Sequence, residues 1–269
     1  MMHWTARHRA IMNLVQEKGA CRVAELMQHL GVSDETVRRD LRVLAAKGLV
    51  DKVHGGVLMP AYSVHEDPFA ARLHMNAQAK RVIAGLVAAE VRDGESLMLD
   101  TGSTTVFVAR ALTQRRNLFV VTNNGEIGRI LAGGAGNKVY VAGGEIRGDD
   151  GAVFGEAAID FLTRFRVDRA ILSAGGIHPE TGLMDYHLPE AEIARAMAER
   201  AERTMVVADH SKFLMRAPVA ALALERLDMV VTEKAAPPVT QEALERVNVV
   251  VRTPADDSQP IDPVLNPAA

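Results

Sequence analysis

The chain has a single cysteine, Cys21, in 269 residues, which excludes an internal disulfide. Its opening, MMHWTARHRAIMNLVQEKG, reads as an amphipathic helix and offers no apolar h-region or small-residue cleavage site. The expected compartment is therefore a reducing cytoplasm. No apolar run approaches the roughly 18 to 20 residues that span a bilayer, so no membrane partner is expected. The nine histidines never fall into a His-x-x-x-His spacing, and neither a metal nor another cofactor is expected. No internal repeat is present.

What the chain does have is apolar mass, 48% of its residues, and a charge asymmetry hidden in a net charge of −3. The first 59 residues hold nine Lys/Arg and six Asp/Glu, giving +3, so the remainder carries −6. A basic head on an acidic body points to a polyanion-binding module joined to a part that does not bind polyanions.

The head reads as three helices and a hairpin. Ile11, Leu14 and Val15 mark a helix from about Ala6 to Lys18. Val23, Leu26, Met27 and Leu30 mark a second, stopped by Gly31. Ser33 offers an N-cap for a third, and Asp34 and Glu35 suit its positive end. The two- or three-residue interval between the second and third helices is a helix-turn-helix spacing. On the third helix, at 100° per residue, Val37, Leu41 and Leu44 fall within about 60° and face inward, whereas Glu35, Arg38, Arg39 and Arg42 share an outward sector about 100° wide. LVDKVHGGVL then gives two β-like runs around His54-Gly55-Gly56, a tight turn. This winged arrangement fits double-stranded DNA, the third helix entering the major groove and the wing, with His54 at its tip, touching the backbone. Arg38 and Arg39 are the expected readers, Arg42 extends their face, and Ser33 and Thr36 are expected phosphate contacts. Asp40 lies beside the face and is read as orienting an arginine. A merely solvated charged face is the plain alternative, set against the coincidence of turn, cap, segregated face and wing.

Residues 1–59 are thus read as the winged helix-turn-helix, 60–76, with two prolines and no sustained period, as a linker, and 77–252 as an α/β body. The Pro-rich 253–269 is read as a disordered tail. In the body, Val- and Leu-rich runs (96–100, 118–122, 138–144, 169–173, 204–209) alternate with helical stretches, including one over Glu190–Arg203. That alternation argues for a mostly parallel sheet covered on both faces.

Ligands of such sheets bind outside the carboxyl ends of strands. DTGSTT, Asp100 to Thr105, stands where a strand stops and a helix begins. Gly102 permits close approach, and Ser103, Thr104 and Thr105 bring hydroxyls to free helix N–H groups, a setting suited to a phosphate monoester. An ordinary Ser/Thr cap after a glycine turn is the alternative. TNNGE with Asn123, AGGE with Gly144, SAGGI and ADHSKF are expected to converge on the same place, although each glycine pair alone is more often a turn. Lys212 could add a second charge or be a surface lysine. Asp185 and His187 could bond polyol hydroxyls, and His187 could equally be structural. An isomerase-like enzyme is the rival reading, but no spacing pairs any two of Asp100, Glu126, Glu145, Asp185 and His187 for proton transfer.

VSDETVRRDLRVLAAKGLVDKVHGG resembles the signature helix-turn-helix and wing of the DeoR family of bacterial transcription regulators, its core standing here as Val32, Ser33, Thr36, Val37, Arg38, Arg39, Asp40 and Leu41. DTGSTT, VVTNN, AGGEIR and ADHSKF look like that family's sensor domain over roughly residues 77–250. The resemblance implies a fold similar to sugar-phosphate isomerases, no enzymatic activity, and a phosphorylated sugar or polyol as effector. It also places the phosphate on Gly102–Thr105 with Lys212 nearby. A narrower similarity, carried by 149–168, Asp185–His187, Asp209–Phe213 and Val230–Pro238, is to the family's glycerol-3-phosphate branch, although HLPEAE after Tyr186 follows the general family spacing. The expectation is a homo-oligomeric repressor, dimer or tetramer, of a carbon-catabolism operon, relieved by glycerol 3-phosphate or another sugar phosphate.

Overall fold

The computed structural model of the protein describes residues 6–18, 20–46, 49–58 and 66–254. At the N-terminus α1 (Ala6–Lys18), α2 (Val23–Leu30) and α3 (Asp34–Ala46) form as the apolar spacing predicts. Ile11, Leu14, Val15, Val23, Leu26, Val37, Leu41 and Leu44 bury together, and Met27 and Leu30 pack against them half-buried. Gly31 closes α2 in the left-handed conformation at φ 65°. The Ser33 hydroxyl accepts the Thr36 N–H at 3.4 Å, so the expected cap is in place.

The wing holds one more strand than the sequence suggests. β1 (Ala20–Arg22), too short to show alternation, pairs antiparallel with β3 (Gly56–Leu58), which also pairs with β2 (Asp51–Val53). Gly56 makes this possible, because a Cβ there would stand 2.6 Å from the Cys21 carbonyl oxygen.

The stretch read as a linker is not all connector. It contains α4 (Phe69–His74), whose six residues are too few to display a period. Phe69 is buried in the body's core and Arg72 pairs with Glu66 at 2.8 Å, so the body begins before residue 77. The part of the expected connector over 60–65 and the expected tail beyond 254 lie outside the described residues.

The body alternates as expected: α5 (Ala77–Glu90), β4 (Ser96–Leu99), α6 (Ser103–Leu112), β5 (Phe119–Thr122), α7 (Gly125–Ala132), β6 (Lys138–Val141), α8 (Glu156–Leu162) and β7 (Val167–Ser173). Then come β8 (Gly176–His178), β9 (Gly182–Asp185), α9 (Leu188–Arg200), β10 (Ala201–Val207), β11 (Val219–Leu222), β12 (Met229–Val231), α10 (Pro238–Arg246) and β13 (Val250–Arg252). Seven strands form one sheet in the order β13-β12-β10-β7-β4-β5-β6, every neighbour parallel. The continuous apolar runs have a simple cause. Leu97, Leu99, Ile171, Met205 and Val207 enter the core under α5, α6 and α7, whereas Met98, Ala170, Leu172 and Val206 enter the core under α9 and α10. Successive side chains alternate faces and both faces are covered, so no polar alternation survives.

Two features differ from the sequence reading. The helix expected over Glu190–Arg203 runs from Leu188 to Arg200, because Ala201 and Arg203 pair with Val167 and Arg169 of β7 and are drawn into the sheet. A small antiparallel sheet, β11-β9-β8, was not foreseen, since its strands are three or four residues long and two of them, β8 and β9, open on glycine. None of the described helices is long and apolar enough to cross a membrane.

From β4 the chain proceeds through β5 to β6 in one direction, and from β7 through β10 to β13 in the other. The order reverses between β4 and β7. In an open parallel sheet this switch point leaves a crevice at the strands' carboxyl ends.

Candidate functional site

Two polar constellations stand out. On α3, Arg38, Arg39 and Arg42 are exposed, as are Ser33 and, at the wing turn, His54, while Thr36 is half-buried. The arginines are not all free: Arg38 Nε donates to Asp34 at 2.6 Å, and Arg42 Nε donates to the Arg38 carbonyl at 3.3 Å. The Ser33 and Thr36 hydroxyls bond each other at 3.0 Å. Asp40 does hold an arginine, but not one from its own helix. It is buried against α1, where it takes the Arg7 guanidinium and His8 Nε2, the latter at 3.2 Å. Burial works against its charge, but Arg7 and His8 hold its carboxyl below the usual range.

The second constellation occupies the switch point. At the end of β4, Asp100 is buried, and one of its oxygens accepts both the N–H and the hydroxyl of Ser173 from the end of β7, at 2.9 and 3.1 Å. Its other oxygen is buried without a partner. Burial pushes this carboxyl up to about 8, against the opposing pull of Ser173. Gly102 follows with extended backbone at φ 167°, so its need for glycine is spatial: a Cβ there would stand 2.6 Å from the Ser173 Cβ. α6 then begins with no side-chain cap. Thr105 Oγ1 turns back onto the Gly102 carbonyl at 3.0 Å, while Ser103 and Thr104 are buried in the first turn.

Around this helix end runs a ring of polar contacts. Thr101 donates to Asp150 at 3.1 Å and receives Asn124 Nδ2 at 2.8 Å. Asp150 holds Arg147, which reaches Glu190 at 2.5 Å. Glu190, His187 and Glu66 bring ligand atoms within 4.8 Å of one another. Glu66 pairs with Arg72, whose carbonyl accepts Lys80 Nζ, and Lys80 closes the ring on the Ser103 hydroxyl at 3.0 Å. Glu66, His187 and Glu190 are the one group among the described residues with metal-ligand proximity, but Arg72 and Arg147 already stand as their cations. Burial raises Glu66 despite Arg72. Burial also raises Asp185 well above the usual range, helped by a hydrogen bond and the charge of Glu190.

The sequence-read residues are placed unevenly. Asp100, Gly102, Ser103, Thr104 and Thr105 form the centre. Asp185 ends β9, next to the segment that follows β7: its Cα would stand 3.0 Å from a Cβ at Gly175. His187 is exposed at the start of α9. Lys212 is half-buried after β10, where it and Lys80 offset the burial of Asp209 and keep that carboxyl low. Asn123 is fully buried and donates to the Val153 carbonyl at 3.0 Å, a brace for the 152–153 segment. Gly144 is exposed beyond β6, two strands from β4, and is not brought to the centre. Lys80, Arg72, Glu66, Asn124, Arg147, Asp150 and Glu190 were not among the sequence-read residues. A signal existed for Lys80: it precedes Ile83, Ala84 and Val87 by three, four and seven residues, on the buried stripe of α5.

Comparison with known proteins bears on both constellations. Residues 7–61 match the DeoR-like helix-turn-helix domain and residues 75–234 the DeoR C-terminal sensor domain. The chain is 38% identical over 239 residues to the glycerol-3-phosphate regulon repressor of Escherichia coli K12, covering 89% of this chain and 94% of the relative. It is 35% identical over 228 residues to the transcriptional repressor AccR of Agrobacterium fabrum, covering 84% and 88%. Among solved structures it is similar to ribose 5-phosphate isomerase A from Methanocaldococcus jannaschii, with 18% identity, a TM-score of 0.38 and coverage of 52% of this chain and 55% of that one. With one family domain at each end and relatives aligned over most of its length, the chain belongs to the DeoR family of transcription regulators.

Proposed function

We propose that the protein is a repressor of a carbon-catabolism operon whose grip on operator DNA is relieved by a phosphorylated polyol or sugar, with glycerol 3-phosphate first among them. The observation that carries this reading is the switch-point site. An uncapped helix N-terminus, a glycine held against a neighbouring strand and buried hydroxyls meet there inside a ring of paired charges. Such a terminus stabilises a phosphate through its N–H groups and dipole. The relative named as a glycerol-3-phosphate regulon repressor favours that effector over other phosphate esters.

In this reading Gly102, Ser103, Thr104 and Thr105 hold the phosphate, Lys212 adds charge, and Asp100, Asp185 and His187 face the carbon skeleton's hydroxyls. Asn123 acts through the strand it braces. Arg38, Arg39 and Arg42 face the major groove, Ser33 and Thr36 the adjoining phosphates, and His54 the backbone at the wing. A dimer or tetramer would match two operator half-sites. The effector must bind the DNA-competent and DNA-incompetent states with different affinity. A coupling of about 1–3 kcal/mol weakens operator binding by roughly 5- to 150-fold. Fluorescence anisotropy on an operator duplex selected against the full chain, with and without glycerol 3-phosphate and a panel of sugar phosphates, measures this. Operator affinity untouched by the whole panel at saturation would sink the proposal.

A further inference from the structure

We propose that residues 255–269 of this chain dock in the groove between α4, α5 and α6, with their aspartates on His74, Arg81 and Arg110.

The groove has a volume of about 540 Å³. Leu73, Ala77 and Phe107 line it half-buried, and the exposed side chains of His74, Arg81 and Arg110 stand around them. The guanidinium groups of Arg81 and Arg110 lie 5.9 and 5.7 Å from the Phe107 ring centroid, within cation–π range. Arg81 donates to Gln78 at 3.3 Å, but among the described residues no carboxylate pairs with any of the three cations. The helices themselves offer almost none. Together α4, α5 and α6 carry Arg72, Lys80, Arg81 and Arg110 against a single acid, Glu90. An apolar floor with an unpaired cationic rim fits an anionic segment that also bears apolar side chains. It fits a nucleic-acid backbone less well, since phosphates leave the floor uncovered.

Two properties select residues 255–269 as that segment. The first is charge. The stretch has Asp256, Asp257 and Asp262, no basic residue, and Ile261, Val264 and Leu265 as apolar anchors. Its composition is too poor in apolar residues for a core of its own, so order must come from a surface elsewhere. Pro260, Pro263 and Pro267 reduce the freedom lost in docking. The second property is where the segment starts. Arg252, the last residue of β13, bonds Glu90, the last residue of α5, at 3.1 Å. Arg81 stands nine residues back along that helix, a distance of about 14 Å. Asp256 and Asp257 follow Arg252 by four and five residues, an extended reach of about 13–18 Å. Other occupants within the protein suit the groove poorly. The head is itself basic, and a second copy presenting the same face would set Arg81 and Arg110 against like charges.

The test uses the full-length chain carrying a fluorophore through S258C, with Cys21, 3% exposed, shielded from the reagent. The anisotropy of the label should be high, independent of protein concentration and lowered by salt. In R81E/R110E it should fall to the value of the same label on a free peptide of residues 255–269. D256K/D257K in the wild-type background should release the label as well, without any change to the groove. Combining the four substitutions should restore much of the anisotropy, because the charges again complement each other. A label as mobile on the wild-type chain as on the peptide would overturn the proposal, and so would one held equally well in R81E/R110E. Immobilisation that grows with protein concentration would make the occupant a second copy's segment. A mobile label together with operator affinity lost in R81E/R110E would make it DNA. Either outcome also overturns the assignment.

Discussion

Ser173 donates twice to a single oxygen of Asp100, through its N–H at 2.9 Å and its hydroxyl at 3.1 Å. This pair joins the two strands at which the sheet reverses its order, and it leaves the second carboxyl oxygen buried without a partner. Burial, resisted by Ser173, lifts the carboxyl from an ordinary 3.8 to about 8. The folded chain therefore carries a proton here that the unfolded chain releases.

The sign of the pH effect follows. Below pH 3.8 both states hold the proton, and between 3.8 and about 8 only the folded state does. Across that window stability falls as pH rises, by about 1.4 kcal/mol per pH unit from this one group. D100N carries a side chain of the same shape that does not titrate. Its stability relative to the wild type, measured by urea unfolding at a series of pH values, should rise through the window and level off above about pH 8. A difference that stays constant from pH 5 to pH 9 would show that Asp100 is ionised in the fold.

Gly102 and Ser173 occupy one small volume. A methyl group at Gly102 would stand 2.6 Å from the Ser173 Cβ and 2.7 Å from its Oγ. The Cβ is fixed to a β-strand and cannot swing aside. G102A should therefore destabilise the fold by about 1–3 kcal/mol, the usual cost of overpacking. S173G removes the obstruction but also the hydroxyl that binds Asp100. The double variant should be more stable than the sum of the two single effects predicts, which a double-mutant cycle in denaturant measures. Strict additivity would place the cause elsewhere.

On α3 the Arg38 guanidinium is tied to Asp34 one turn before it. Both side chains are about half exposed, and such pairs contribute only about 0.3–0.5 kcal/mol, so DNA can open this one at little cost. R38A and R39A should each leave stability within about 0.5 kcal/mol of the wild type. Each should weaken operator binding, and a residue that contacts only phosphate should also lower the salt slope by about 1. D34N frees Arg38 and removes the negative charge beside it, so operator binding should tighten in anisotropy titrations. Weaker binding by D34N would show that Asp34 aims Arg38 at its target.

These residues also show how far the sequence could be read. The helix-turn-helix was legible because α2 and α3 each carry an apolar stripe, with Gly31 stopping the first and Ser33 capping the second, which are local signals. The parallel sheet was legible from its unbroken apolar runs. α4 and β1 were not, since six and three residues cannot display a period. The centre of the site, Asp100 to Thr105, is a contiguous segment and could be seen whole. Its ring could not, because Lys80 and Ser103 are 23 residues apart and Arg147 and Glu190 are 43 apart. Contacts of that range are set by which strand ends the topology brings together, and a reading along the chain does not contain that order. Arg147 and Glu190 lay inside segments already singled out, but nothing local showed that they face each other. Arg203 failed for a related reason: its helical pattern was overruled by pairing with Arg169.

Asp40 supplies a test inside the head. Its position beside Arg38 and Arg39 in the chain invites a role at the DNA, yet its side chain is 7% exposed and turned to α1, where Arg7 and His8 hold it. Its pKa in the fold is depressed, since these partners outweigh burial. The stabilisation it contributes is therefore present above the ordinary value of 3.8 and is lost as pH falls through the lower folded value. D40N removes the charge and leaves one amide edge poorly matched to two donors. Arg7 is more than a third open to water, so screening trims the cost to about 1–2 kcal/mol. Hydrogen exchange should locate that loss in the amides of α1 and α3 and leave those of the sheet unchanged, because the two cores are separate. At low temperature, where the head of D40N remains folded, operator affinity should match the wild type. Affinity lost without any change in exchange would instead place Asp40 on the DNA.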